Sequence, residues 1–286
     1  VFKFFEDTGD LAKSSATPIP TYEQEFKKYL DELGMKVTFF PSDASRSTVE
    51  FLTTLLKGVL ENGGHMDSVA LVDTFGAFSP EGAAYMVKAL IREVGVPVEA
   101  HFHEDFGMSV PTTIAALQAG AFCAHVAVNG IGERAGNAPY EDIALSLLTM
   151  YGVDTGLKYE KMYELSEMMR NFCGHTIPSN RGIVGPTLAD IESGIVADWW
   201  LNAHEDHPLE VSPYLYSLVG HPDAKVVIGK NSGIPTVDIY LDQLGLSCDN
   251  KDQKLEMVSK IKEKSFEKMG LLTVGEFEEI ARKVLG

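Results

Sequence analysis

His101 and His103 are separated by one residue, and the segment leading to them, Pro97 to Ala100, reads as a buried strand. Side chains on a strand alternate faces, so both imidazoles point to one side, about 7 Å apart along the backbone. Two neutral imidazoles so placed can share one divalent ion, although the same spacing also serves a packed or surface pair. A divalent ion needs more than two ligands. Asn137, in the loop after the next strand, offers an amide oxygen. An Asp from elsewhere would complete a His, His, Asn, Asp set with positions open to water and substrate. Mixed nitrogen and oxygen donors suit Zn, Mn, Mg or Co, and residue types alone do not choose among them.

Polar residues recur at the ends of the neighbouring strands. Asp73-Thr74 ends the strand before the histidines, and Asp43 and Arg46 follow the strand before that. A hydroxyl at Thr74 suits a substrate carboxylate. The loop Asn129 to Asn137 is glycine-rich and carries Glu133-Arg134 at its centre. Glycines allow close backbone approach to a ligand. Arg134 has the fork that grips a carboxylate or phosphate bidentately, and equally the spacing to pair with Glu133. Each of these residues alone serves as well in a cap or a turn; what matters is that they converge on four adjacent strand ends.

The elements that must position them follow a strand–helix rhythm. Apolar strands are expected at Val1 to Phe5, Val37 to Phe40, Ser68 to Val72, Val96 to His103 and Phe122 to Val128. Helices are expected at Tyr22 to Leu33, from a Ser47 cap to about Asn62, from Ser79-Pro80 onward, at Val110 to Ala119 and at Tyr140 to Met150. Alternation at roughly 30-residue spacing implies right-handed crossovers and a parallel sheet. Polar and glycine-rich residues gather after each strand, the polarity of a TIM (β/α)8 barrel, whose active site lies at the C-terminal strand ends. The rival is a doubly wound open sheet, weakened because no G-x-G-x-x-G follows an early strand. The fold class is therefore α/β, with about five C-terminal βα units of the barrel in residues 1–151 and a small helical linker and C-terminal region in residues 152–286. Within that region helices are expected at Tyr159 to Phe172, Leu188 to Asn202, Pro235 to Leu244, Asp252 to Lys268 and Val274 to Val284, with no further strands. Val1 already reads as mid-strand, so an N-terminally truncated piece of a longer protein is expected.

Composition narrows the partners. The chain has 286 residues, 45% of them hydrophobic, and a net charge of −17. That balance argues against nonspecific binding to nucleic acid or anionic membrane, both of which favour basic surface. No apolar run is long enough for a transmembrane helix. Three cysteines, Cys123, Cys173 and Cys248, form no close pair and fit a reducing, cytoplasmic setting. His204 and His207 sit in an acidic stretch that reads as solvated surface, and Trp199-Trp200 as core or a contact with a second subunit. His125 reads as out of phase with a loop position.

The residues His101 to Gly107 (HFHEDFG) resemble the H-x-H-[ND]-D-x-G signature of the DRE-TIM metallolyase superfamily. Asn129 to Asn137 (NGIGERAGN) resembles the signature of its Claisen-condensing branch, the 2-isopropylmalate, homocitrate and citramalate synthases. Val69 to Gly76 is similar to that branch's strand ending in D-T-x-G, and Val37 to Arg46 to its V-E-F-S-P-E-D-A-S-R. Ile183 to Gly185, Glu192 to Ile195 and Val227 to Gly233 are similar to stretches of its linker region.

The resemblance implies a TIM barrel that holds a divalent metal and joins acetyl-CoA to a 2-oxo acid, as a cytoplasmic homodimer. By position, His101, His103 and Asn137 would be metal ligands and Thr74 would touch the substrate carboxylate. From their residue types at the strand ends, Asp43 and Arg46 are further substrate-binding candidates, and Glu133 and Arg134 the catalytic candidates. The branch's first-strand motif D-x-T-L-R-D-G-E-Q, which supplies an Asp ligand and a catalytic Arg, is not among these residues. Thr38 stands where the branch has an acidic residue, and Val196 where it has a histidine that serves catalysis across the dimer. Three other readings compete. One is a metal-dependent lyase of the hydroxymethylglutaryl-CoA type, which would carry a cysteine in the glycine loop; NGIGERAGN has none. Another is an inactive barrel acting as a binding or assembly partner. The third is a metal-dependent hydrolase, which would want more histidines on later strands.

Overall fold

The structure is a computed structural model and describes residues 32–286. The expected strand at Val1 to Phe5 lies outside the described residues, as does most of the expected helix at Tyr22 to Leu33. The chain forms two compact units, dividing between Thr155 and Gly156. The boundary expected at 151/152 coincides with the left-handed Gly152 that closes the last helix of the first unit, just before that division.

In the first unit, four strands form one parallel sheet in sequence order: β1 (Thr38–Phe39), β2 (Ser68–Asp73), β3 (Val98–Phe102) and β4 (Cys123–His125). Between and after them run α1 (Val49–Glu61), α2 (Pro80–Val94), α3 (Ser109–Gln118) and α4 (Tyr140–Tyr151). This is the α/β parallel arrangement of a partial barrel. Local signals set the helix starts. Thr48 rather than Ser47 caps α1, its hydroxyl accepting from Phe51 N–H, because the chain turns helical one residue later than expected. Ser79 caps α2 ahead of Pro80, and Gly95 at φ 77° closes it.

The register decides which side chains face the helices. Val69 pairs with Val98, Leu71 with Ala100 and Asp73 with Phe102. Val69, Leu71, Val98, Ala100 and Phe102 join Leu52, Leu56, Val87 and Leu90 in the core beneath the helices. By the period of two, the intervening residues take the opposite face: Glu99 and His101 on β3, Ser68 on β2, Thr38 on β1, and Cys123 and His125 on β4. One face of the sheet is therefore apolar and covered by helices, while the other carries a layer of polar side chains.

The second unit departs from the all-helical expectation. Two short parallel strands, β5 (Asp190–Ile191) and β6 (Lys225–Val226), pair there. The unit also contains α5 (Met162–Cys173), α6 (Gly194–Ala203), α7 (Ile234–Gln243), α8 (Lys251–Lys268) and α9 (Val274–Leu285). The helix expected from Leu188 begins only at Gly194. Glu192 is held outside it, its two carboxylate oxygens accepting from the backbone and side-chain N–H groups of Asn231 at 3.0 and 3.3 Å. At the first residue of α6 a Cβ would lie 2.8 Å from the Gly233 Cα, so only glycine fits that crossing. Val226, Ile228, Val237, Met257, Ile261, Phe277 and Ala281 form the core of this unit. Trp200 packs against it and stacks on His204, while Trp199 is exposed. No helix among the described residues is long and apolar enough to cross a membrane.

Candidate metal centre at the strand ends

His103 lies one residue past β3, and an isolated antiparallel bridge pairs it with Asn137. Backbone hydrogen bonds build that bridge. Glu104 N–H donates to the Gly136 carbonyl at 3.0 Å, and Ala138 N–H to the Phe102 carbonyl at 3.1 Å. The glycine loop therefore folds back over the end of its neighbouring strand and delivers Asn137 beside the histidines. Two glycines are required for this path. A Cβ on Gly136, at φ 96°, would stand 1.9 Å from the Gly130 carbonyl oxygen, and one on Gly132 would lie 2.3 Å from the Asn137 side-chain nitrogen.

The Asn137 amide is fixed from one end only. Its Nδ2 donates to the Ile131 carbonyl at 3.1 Å, whereas Oδ1 is buried with no hydrogen-bond partner. Nδ1 of His103 is likewise buried and unpartnered. A buried polar atom without a partner costs about 1–3 kcal/mol. Two such atoms on residues joined by a bridge form the donor set a divalent ion satisfies, so the residues present fit a metal. His101 completes the group: its ring centroid lies 5.4 Å from that of His103. Burial, and then the neighbouring His125 and His103, push the His101 pKa down to about 4. At neutral pH its imidazole is therefore uncharged, the form that binds a metal.

The sequence reading missed His125. The register Glu99↔Cys123, His101↔His125 sets it on the face of His101, not out of phase. Its Nδ1 lies 3.3 Å from His101 Nδ1, and its Nε2 2.5 Å from Glu99 Oε2. The Phe40 ring stacks on His125 at 5.4 Å and meets His101 edge-on at 6.1 Å. Oε1 of Glu99 accepts from the hydroxyls of Thr38, at 2.9 Å, and Ser68, at 2.5 Å. Burial alone would raise the Glu99 pKa, but the hydrogen bonds from Ser68, His125 and Thr38 outweigh it, and the group lies below its ordinary value. The carboxylate in this layer thus comes from β3, alongside Thr38 on β1. Period-two phasing of Glu99 with His101 and His103 was the available signal.

The other candidates surround Phe75. Arg134 forms a bidentate pair with Asp105, Nε to Oδ1 at 2.8 Å and an NH2 contact to Oδ2 at 3.0 Å, and also donates to the Thr74 carbonyl. Its contact with the exposed Glu133 is longer, 3.8 Å. Arg46 binds the Asp43 carboxylate through Nε at 2.8 and 2.9 Å. Both guanidinium groups lie against the Phe75 ring, at 4.2 Å for Arg46 and 5.1 Å for Arg134. Oγ1 of Thr74 accepts from Asp43 N–H at 2.7 Å, which leaves the hydroxyl proton to donate. The first-unit candidates thus fall into two groups, His101, His103 and Asn137 on one hand and Asp43, Arg46, Thr74 and Arg134 around Phe75 on the other. In each arginine Nε and one terminal nitrogen are taken by a carboxylate.

The family model described as HMGL-like matches residues 11–169. Among curated proteins, the chain is 35% identical over 238 residues to the 2-isopropylmalate synthase of Methanocaldococcus jannaschii, covering 82% of this chain and 45% of that protein. It is 36% identical to the homocitrate synthase AksA of Methanothermobacter thermautotrophicus, covering 91% of this chain and 64% of that one. It is also 36% identical to a protein named as a putative (R)-citramalate synthase CimA of Methanopyrus kandleri, covering 92% and 50%. The chain spans about half the length of these curated relatives.

Proposed function

From the premise that the chain belongs to the HMGL-like family, we propose that it carries the metal-binding strand ends of an acyltransferase that condenses acetyl-CoA with a small 2-oxo acid. The observation that carries this reading is the pair of buried, unpartnered ligand atoms, Asn137 Oδ1 and His103 Nδ1, on residues joined by a bridge. The names of the curated relatives, all condensing synthases, support the reaction class.

His101, His103 and Asn137 would hold the ion, whether Mn, Mg, Zn or Co. When bound, it supplies Lewis-acid polarisation of the 2-oxo acid carbonyl. The acetyl methyl carbon adds to that carbonyl after losing a proton, and hydrolysis of the thioester releases CoA. Thr74 has a hydroxyl proton to give a substrate carboxylate, because its oxygen is already oriented by Asp43 N–H. Asp43 and Arg46 form the wall beside it. Arg134 holds the glycine loop against Asp105 and the Thr74 carbonyl, and Glu133, exposed at the loop tip, is the acid–base candidate. The protein would act in the cytoplasm as a homodimer.

The test is release of free thiol from acetyl-CoA across a panel of 2-oxo acids with added divalent ion. Thiol release that requires both substrates and the ion, and is lost in His101→Ala/His103→Ala, is the expected result. Uptake of metal without thiol release from any 2-oxo acid overturns the condensing reading in favour of an inactive barrel.

A further inference from the structure

We propose that Glu99 and His125 are positioning residues that fix the tautomer of His101 and so aim its Nε2 lone pair at the metal. The inference rests on the metal reading above, and its test separates the two. An ionised carboxylate only accepts hydrogen bonds, so the nitrogen 2.5 Å from Glu99 Oε2, His125 Nε2, carries a proton. Nδ1 of His125 lies 3.3 Å from His101 Nδ1, so only Nε2 of His101 is left to meet an ion. A ring that ligates through Nε2 carries its proton on Nδ1 and donates it to His125 Nδ1. The chain Glu99–His125–His101 therefore runs in one direction, and its free end is a metal-ligating nitrogen. A hydrogen bond to the far nitrogen of a ligating histidine is the general means of fixing ring and tautomer.

The anchor of the chain is itself held. Thr38 and Ser68 bond Glu99 Oε1 and leave Oε2 for His125. Phe40 lies against both imidazole rings. The alternative is that Glu99, Cys123 and His125, whose ligand atoms lie within 4.8 Å of one another, hold a second ion. The hydrogen bonds oppose that. Both carboxylate oxygens of Glu99 and both nitrogens of His125 are already engaged.

Two measurements on the full chain test the proposal. Long-range proton–nitrogen NMR of the metal-free protein at neutral pH reads each tautomer directly. His125 is expected as Nε2–H and His101 as Nδ1–H, with the His101 assignment lost in Glu99→Ala. Titration with Mn(II) should then show affinity reduced about 10–100-fold in Glu99→Ala and in His125→Ala, with little further loss in the double variant. Cys123→Ser should bind as the wild type does. Finding His101 as Nε2–H, or His125 protonated on both nitrogens, overturns the chain while leaving the metal reading standing. The stated tautomers with no Mn(II) uptake by the wild type overturn the metal reading and the proposed role with it. A second bound equivalent that Cys123→Ser removes assigns the cluster to an ion of its own and overturns the proposal.

Discussion

Arg134 and Asp105 meet through two hydrogen bonds of 2.8 and 3.0 Å, and this pair ties the glycine loop to the turn that follows the two histidines. The guanidinium comes first among the causes that hold the Asp105 carboxyl below its ordinary range. Arg134 itself sits at φ 54°, so the backbone of the loop and the pairing of its side chain are set together. Because the pair is partly exposed, its coupling is expected to be small but measurable, the two-pronged geometry favouring it over an ordinary surface pair. A double-mutant cycle of Arg134→Ala and Asp105→Ala by urea unfolding measures it. Additive losses would mean that the two side chains hold the loop independently. Arg134→Lys should lose most of the coupling, since an ammonium cannot reproduce the two-pronged contact.

A divalent ion at His101, His103 and Asn137 should stabilise the first unit by mass action. With free ion a hundredfold above its dissociation constant the gain is about 2.7 kcal/mol. The thermal midpoint should rise with Mn(II) and return on chelation with EDTA. Asn137→Ala should remove this response, because Oδ1 is the unpartnered atom that the ion would satisfy. An undiminished response in Asn137→Ala would exclude that residue as a ligand.

The glycine loop offers a sharper steric test. Gly136→Ala places a methyl 1.9 Å from the Gly130 carbonyl oxygen, and neither backbone segment can yield without opening the His103–Asn137 bridge. The expected loss is on the order of 3 kcal/mol, together with loss of metal uptake. Gly152→Ala is the control. It shares the positive φ but has nothing within 4 Å of the new methyl. It should cost about 1 kcal/mol and leave metal uptake unchanged. Equal losses at the two positions would show that backbone strain, not the close approach, is what requires Gly136.

The strand carrying the histidines was legible because its phase is written in residue type. Val98, Ala100 and Phe102 alternate with Glu99, His101 and His103, and the structure sends the two sets to opposite faces. His125 was not legible in the same way. Its phase relative to His101 depends on the pairing Glu99↔Cys123, and a shift of one residue would have sent it among the helices. The approach of Asn137 to His103 depends on hydrogen bonds between Phe102, Glu104, Gly136 and Ala138, which no periodicity encodes. In the second unit, β5 and β6 contribute two paired residues each, too short for alternation to register.

The second unit carries its own pH dependence at the start of α9. Thr273 and Glu276 form a capping box: the Thr273 hydroxyl accepts from Glu276 N–H, and the Glu276 carboxylate accepts from Thr273 N–H at 2.7 Å. Lys268 adds an ion pair at 2.8 Å. Lys268 first, and then the Thr273 backbone, lower the Glu276 pKa from 4.5 to about 2. A carboxylate whose folded pKa is depressed stabilises the fold above its unfolded pKa and loses that contribution as pH falls through the folded one. The unit should therefore lose stability between about pH 4.5 and 2, and Glu276→Gln should flatten that part of the profile while lowering stability at pH 7. Thr273→Ala should cost about 1 kcal/mol at neutral pH through loss of the cap. Thermal melts from pH 7 to 2 on the three proteins measure both effects. An unchanged acid limb in Glu276→Gln would assign the acid sensitivity to other carboxylates.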